Sequence, residues 1–352
     1  MRYFNKKWPG ILLWPLSLLY GLAMQARNFF YDHDLFKVTK VDCPVISVGN
    51  ITVGGTGKTP TVAFLAYWFH SRGKKVCIIS RGYGRRTTGT FVVSDGEKVY
   101  GSATQAGDEP FLLAHKLKGI PIVVDEDRVR GAQKAKAMFR PDLLILDDAF
   151  QHRRLYRDVD IVTLNGASPF FGNGFVLPAG PLREFKGNLQ RADLFWINSS
   201  DNQIDTGSLP PKPVVRASYM PVKIIDALGQ EHDPQLRDKS VVAFCGLGTP
   251  ENFRRTLKRL RAKISAFVVF EDHHKYTQKN INNLKQLFIQ TKADVILTTE
   301  KDWVKISQIV NKETIWQYLV VDIQPNDINE MAAIFSELLL VKSPNLTKSV
   351  SK

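Results

Sequence analysis

Thr52-Val53-Gly54-Gly55-Thr56-Gly57-Lys58-Thr59 decides the fold of this chain. A phosphate chain is held by converging backbone N–H groups, a helix N-terminus beneath them, a lysine, and a hydroxyl suited to magnesium. Residues 52–59 supply all four in that order. The run Pro44-Val45-Ile46-Ser47-Val48, followed by Gly49-Asn50, reads as a strand entering the loop, and Thr59 to Phe69 reads as a helix leaving it. Gly54, Gly55 and Gly57 let the backbone approach the phosphates of ATP. Lys58 is placed to reach the β- and γ-phosphates, and the Thr59 hydroxyl to ligate Mg²⁺. One position departs from the usual pattern: Thr52 stands where the first glycine is expected.

Working outward, apolar runs alternate with helical patterns. Val76 to Ser80 reads as a second buried strand, ending in Arg81-Gly82-Tyr83-Gly84-Arg85. Phe91 to Ser94 and Val99-Tyr100, joined by Asp95-Gly96, read as a hairpin. Helices over 109–117 and 128–138 bracket a strand at 120–124, and Leu143 to Leu146 runs into Asp147-Asp148. Further strands are expected at 161–164 and 194–197. This rhythm predicts a parallel sheet with helices on both faces. From Pro213 to Asp226 the sequence is strand-like, turns at Ala227-Leu228-Gly229, and restarts the βα rhythm at 241–244, with a helix capped near Thr249. The expected α/β organisation has five parts: an N-terminal membrane-associated helix (1–33), a P-loop NTPase-like core (34–212), a β-hairpin linker (213–239), a smaller second α/β domain (240–341) and a flexible tail (342–352).

Three cysteines in 352 residues, without metal-ligand spacing, fit a reduced cytosolic setting. A formal charge of +14 calls for an acidic partner. Nucleic acid is disfavoured, because the chain has no helix-turn-helix pattern, zinc-finger spacing or RNP-like strand, and its basic residues are dispersed. The N-terminus points to a membrane instead. From Trp8 to Ala26, WPGILLWPLSLLYGLAMQA carries no charge, with Arg2, Lys6 and Lys7 before it and Arg27 after it. A full span needs about 20 strongly apolar residues. This stretch barely reaches that length and contains Pro9 and Pro15, so an interfacial helix with Trp8, Trp14 and Tyr20 as anchors is favoured over a span.

The carboxylate on the metal side of a P-loop ends a buried strand of the same sheet, and Asp147-Asp148 fits that place. Two adjacent aspartates repel unless a cation offsets them. A GTPase is disfavoured because Thr299-Glu300-Lys301-Asp302 lacks the spacing of a guanine-reading loop. A partitioning-type membrane ATPase, whose loop reads K-G-G-x-G-K-[ST], is the rival reading, although Val53 replaces its signature lysine. A kinase also needs a base and cations. Gly107-Asp108-Glu109-Pro110 offers acids at a helix start. Phe270-Glu271-Asp272-His273-His274-Lys275-Tyr276 follows a strand, and its neighbouring histidines are not spaced to share a zinc ion. Leu177 to Glu184 is a Pro/Gly turn presenting Arg183, suited to clamping a phosphate.

Together SVGNITVGGTGKTP, SRGYGR, GDEP, LILDDAFQHRRL, LPAGPLRE, FEDHHKYT and TTEKDWVK, with the hydrophobic N-terminal helix, resemble the tetraacyldisaccharide 4'-kinase family. The motifs run in the family's order from residue 1 to about 305, and the family's loop also has threonine at the position of Thr52. The resemblance implies a phosphotransferase of lipid A biosynthesis that moves the ATP γ-phosphate to the 4'-hydroxyl of an acylated glucosamine disaccharide 1-phosphate. It implies Asp108 as base, working with His273 of the second domain, and Arg128 and Arg183 as phosphate contacts. Asp147 and Asp148 become the metal-side pair, and Tyr83, Glu109, Gln151 and Glu184 line the cleft. The setting it implies is the anionic cytoplasmic face of the inner membrane, with ATP and Mg²⁺ and no obligate protein partner.

Overall fold

In this computed structural model residues 13–166, 169–199, 205–248, 250–272 and 274–343 are described. The expected helix start at 8–12, the cap at Thr249 and the candidate His273 lie outside them. The chain forms two compact units, residues 1–218 with 323–352, and residues 219–322.

In the first unit the sheet is built from runs that are apolar on both faces. Strand β1 (Val45–Gly49) is central and pairs in parallel with β5 (Leu143–Asp147) on one side and β6 (Val159–Asn165) on the other. Beyond β5 come β2 (Val76–Ser80), β4 (Ile122–Val124) and an antiparallel edge strand β3 (Phe91–Ser94). Beyond β6 come β7 (Leu194–Asn198) and the start of β8 (Val214–Asp226). Every residue of β1, β2, β5 and β7 is buried, as a sheet covered on both faces requires. The expected hairpin after β3 is present but short: Ser94 bridges Val99 and Val93 O accepts from Tyr100 N–H (2.8 Å). Strand β3 also pairs antiparallel with β4.

Four helices matter for the site: α1 (Trp14–Asp32), α2 (Lys58–His70), α4 (Asp108–Lys116) and α5 (Arg128–Phe139), with the short α3 (Ala103–Ala106) just before α4 in the chain. Helix α1 reverses the usual amphipathic order. Ser17, Gly21, Asn28 and Tyr31 are buried, while Trp14, Leu16, Leu19, Leu22 and Phe29 are exposed. Gly21 is required by close packing, since a Cβ there would meet the Phe185 ring at 2.4 Å. Among the described residues no helix is long and apolar enough to cross a membrane.

Residues 219–322 carry the parallel strands β10 (Ser240–Cys245), β11 (Lys263–Val269), β12 (Val295–Thr299) and the greater part of β13 (Trp316–Pro325), ordered β11-β10-β12-β13. Helices α6 (Pro250–Arg259), α7 (Gln278–Thr291) and α8 (Glu300–Ile306) connect them. The hairpin ahead of this unit is present: β8 pairs with β9 (Glu231–His232) around a turn in which Asp226 accepts from the N–H groups of Leu228 and Gln230.

The expected boundaries need correction. The division falls inside β8, not at 213 or 239, and the last helix, α9 (Ile328–Lys342), belongs to the first unit, not to a second domain reaching residue 341. Phe335 of α9 is fully buried and lies 5.8 Å from Trp68 and 5.9 Å from Phe69 of α2, ring centre to ring centre. An apolar stripe in the sequence does not reveal which helix will cover it.

Candidate active site

The loop of residues 52–59 leaves the carboxyl end of central β1, where ligand crevices form in open α/β sheets. Its shape is held from beneath by side chains on neighbouring strand ends. Thr56 Oγ1 accepts from Asn50 Nδ2 (3.1 Å) and pairs with the Thr163 hydroxyl (2.8 Å). Asn198 Nδ2 donates to Thr56 O (2.6 Å) and Asn165 Nδ2 to Gly55 O (3.4 Å). A Cβ on Gly55 would meet no protein atom within 4 Å. No neighbour therefore forces a glycine there, and the open space above the loop is what a phosphate would fill. Thr52 is buried and pairs antiparallel with Leu182, while Val53 N–H donates to Pro181 O (2.8 Å). Here the residue that departs from the usual glycine anchors the loop to the turn that presents Arg183.

The acids and cations converge at this end of the sheet. The β2–β5 register, with Ile79 opposite Leu146, brings Ser80 beside Asp147, and Ser80 Oγ donates to Asp147 Oδ2 (3.1 Å). The other oxygen, Asp147 Oδ1, is buried without a partner. Burial, then the charges of Glu109 and Asp148, push the Asp147 carboxyl up to about 7. The next residue leaves the strand in the left-handed region, with Asp148 φ at 50°, so consecutive carboxylates diverge. Asp148 Oδ1 accepts from Arg183 Nη1 (2.7 Å) and lies 3.8 Å from Lys58 Nζ. Burial opposes its ionisation, but Lys58 and Arg183 outweigh burial and hold the carboxyl low.

Thr59 Oγ1 donates to Glu109 Oε2 (3.1 Å), which seats the start of α4 beside the loop. Asp108 precedes it as the first residue of α4. Tyr83, exposed to solvent, sits on a loop whose backbone abuts the same point: at Gly107, with φ of 94°, a Cβ would lie 3.0 Å from Tyr83 O. Arg128 is buried at the start of α5, and its Nη1 and Nη2 donate to Glu126 O and Asp148 O. Its Nε has no partner. Burial and the nearby Arg81 weaken its hold on its proton, and Asp148 and Asp147 oppose that. Thus Lys58, Thr59, Glu109, Arg128, Asp147, Asp148 and Arg183 stand together.

The donors facing this point, a hydroxyl and carboxylates, are hard oxygens of the kind Mg²⁺ takes. Among the described residues no three His, Cys, Asp or Glu side chains are grouped to hold a metal ion unaided. That fits a P-loop magnesium, which draws its remaining ligands from phosphate and water. The unpartnered oxygen of Asp147 and its raised carboxyl both mark a place where a cation would relieve the repulsion.

Gln151 and Glu184 lie one layer behind. Gln151 Oε1 accepts from Arg183 Nη1 (3.4 Å), and its Nε2 donates to Asn50 O (2.9 Å) and Glu184 Oε1 (3.0 Å). Glu184 is fully buried and gripped by both terminal nitrogens of Arg191 (3.0 Å each). In the second unit His274 stacks on Phe270 (4.7 Å) and meets Tyr276 edge-on (4.9 Å). Fully buried Asp302 accepts from Gly246 N–H, Thr299 and Tyr276, so TTEKDWVK braces strand ends there.

Sequence reasoning missed Ser80, Asn50, Thr163, Asn165 and Asn198. Each stands at or just past a strand's carboxyl end, a positional signal readable only once the strand order is known. His152, in the QHRRL run, was also passed over. Burial and then Arg128 push its imidazole down to about 4, and its Nε2 has no partner.

A family model described as tetraacyldisaccharide-1-P 4'-kinase matches residues 9–340. A tetraacyldisaccharide 4'-kinase of Syntrophus aciditrophicus is 39% identical over 317 residues, covering 85% of this chain and 84% of that one. One of Geobacter metallireducens is 38% identical over 336 residues, covering 93% and 98%. The crystal structure of LpxK from Aquifex aeolicus in complex with ATP superposes with a TM-score of 0.77 at 33% identity, covering 94% of this chain and 99% of that one.

Proposed function

This chain belongs to the tetraacyldisaccharide-1-P 4'-kinase family, and on that premise we propose how its residues carry out the transfer. It is an ATP-dependent kinase of lipid A biosynthesis, acting on the 4'-hydroxyl of a tetraacyldisaccharide 1-phosphate. The observation that carries the reading is the meeting of Lys58, Arg183 and Asp148 at the mouth of the 52–59 loop.

The loop N–H groups and Lys58 hold the β- and γ-phosphates, with Thr56 locked beneath them. Arg128 and Arg183 face the charge that spreads over the equatorial oxygens as the phosphoryl group moves. Thr59, Asp147 and Asp148 would hold Mg²⁺, which supplies Lewis-acid stabilisation of the phosphate oxygens when bound. Asp108 takes the proton of the 4'-hydroxyl as that oxygen bonds to the γ-phosphorus and the bond to the β–γ bridging oxygen breaks, releasing ADP. Tyr83, whose backbone abuts Gly107, lines the cleft.

An acceptor with four acyl chains resides in a membrane. The exposed Trp14, Leu16, Leu19 and Leu22 of α1 and the net charge of +14 support a peripheral seat on an anionic surface, the cytoplasmic face of the inner membrane, where ATP is available. In the test, protein is incubated with γ-labelled ATP, Mg²⁺ and a micellar tetraacylated glucosamine disaccharide 1-phosphate. The label is expected on the 4'-oxygen of the lipid. Release of free phosphate alone, as from a partitioning-type ATPase, would overturn the reading.

A further inference from the structure

Helix α1 carries polar groups on the side that faces the protein, and they all lead to one place. Ser17 Oγ donates to Val176 O (2.6 Å) and Tyr20 Oη to Arg183 O (2.9 Å). Arg27 Nη2 donates to Gln151 O (2.7 Å). Asn28, fully buried, donates through Nδ2 to Glu184 Oε2 (2.8 Å). Of these partners Gln151 accepts directly from the Arg183 guanidinium, and Glu184 accepts from Gln151. From Asn28 the contacts run unbroken to Glu184, to Gln151, to the Arg183 guanidinium, and through Asp148 to Lys58.

A helix that only anchored the chain to a bilayer would not need this face. Apolar packing would hold it equally well, and burying Asn28 costs free energy that its one side-chain hydrogen bond offsets only in part, since its Oδ1 has no partner. Glu184 is a buried carboxylate, and donors from Asn28, Gln151 and Arg191 compensate its burial. Loss of the α1 donor shifts the compensation onto Arg191 and Gln151. Gln151 holds Glu184 through its amide nitrogen and the Arg183 guanidinium through its oxygen (3.4 Å), so a shift of that amide bears on a guanidinium whose shorter bond is to Asp148 (2.7 Å).

We infer that the protein-facing side of α1 positions the Arg183 guanidinium for phosphoryl transfer, with Asn28 acting through Glu184 and Gln151. The inference rests on the kinase reading above and gives α1 a second role beside its membrane seat. Asn28 is a positioning residue, since its side chain reaches the site only through Glu184.

The test is a double-mutant cycle on the full chain in detergent micelles, with saturating Mg-ATP and the acylated disaccharide acceptor. N28A is expected to lower kcat roughly tenfold, because small misplacements of a charge-stabilising group are costly in transfer, while the lipid KM stays within about twofold of the unaltered value. R183A alone is expected to cost on the order of a hundredfold or more. The double variant N28A/R183A should be no worse than R183A, since Asn28 has nothing left to position. Should N28A fail to fold, Y20F serves, removing a single hydroxyl from Arg183 O, with a severalfold loss that R183A again absorbs. Losses that multiply with R183A, or an effect confined to the lipid KM, overturn the inference while leaving the kinase reading intact. Absence of lipid transfer by the unaltered chain overturns both.

Discussion

Replacing Asp147 with asparagine is expected to stabilise the nucleotide-free protein at pH 8 while removing most of its kinase activity. Asp147 is 1% exposed, with one oxygen facing Ser80 and the other facing no partner. Burial, then Glu109 and Asp148, raise its carboxyl from 3.8 to about 7. The folded state therefore holds this proton more tightly than the unfolded chain does. Stability is unaffected by the residue below about pH 3.5 and falls progressively as pH climbs towards 7, because only the unfolded state ionises freely in that window. A gap of about three pH units, at ~1.4 kcal/mol each, gives a ceiling of roughly 4 kcal/mol. The expected gain is therefore on the order of a few kcal/mol at most. Asparagine is neutral, nearly the same shape, and still accepts from Ser80. The gain should appear as a rise of roughly 4–10 °C in the melting temperature of the first unit at pH 8, with less than half of it left at pH 5. Melting is followed for both proteins at pH 5, 6.5 and 8 in chelator. Parallel pH profiles for the two, or a variant that is less stable at pH 8, would refute the assignment of a raised carboxyl to Asp147. Adding Mg-ATP should then raise the melting point of the unaltered protein more than that of the variant, since the cation offsets the same repulsion.

Two further outcomes are expected. Asp108→Ala should lose turnover by about 10²–10⁴-fold, as removal of a general base does, while ATP affinity measured by calorimetry changes little; unimpaired turnover would rule out Asp108 as the base. Leu19→Ser with Leu22→Ser, on the exposed side of α1, should weaken co-sedimentation with anionic vesicles by about tenfold or more, at ~1 kcal/mol for each half-buried leucine. Equal sedimentation of the two proteins would remove α1 from the membrane surface.

The P-loop was legible because its determinants are local. Glycines, lysine and threonine within eight residues, between an apolar run and a helix, leave few alternatives. The buried strands were equally plain, since parallel strands covered on both faces are continuous apolar runs, and Val45–Gly49, Val76–Ser80 and Leu143–Asp147 are fully buried as expected. The pairing of β3 with β4, beside its short hairpin to Val99 and Tyr100, was harder to read, because it depends on a partner far away in the chain. The placing of α9 failed for the same reason: Phe335 could have packed in either unit until Trp68 and Phe69 covered it.

By itself the sequence determined the class of chemistry, through short motifs whose spacing carries their geometry: a phosphate cradle, an acidic pair ending a strand, an arginine on a Pro/Gly turn, and an uncharged N-terminal stretch. Tertiary structure alone decided how these motifs act on one another. It set Asp147 towards Ser80 and Asp148 towards Lys58 and Arg183, because a left-handed residue at a strand end turns adjacent side chains apart. It also turned the polar side of α1 inward onto Glu184 and its leucines outward, an inversion no hydropathy pattern specifies, since a pattern records which residues share a face and not what that face will meet.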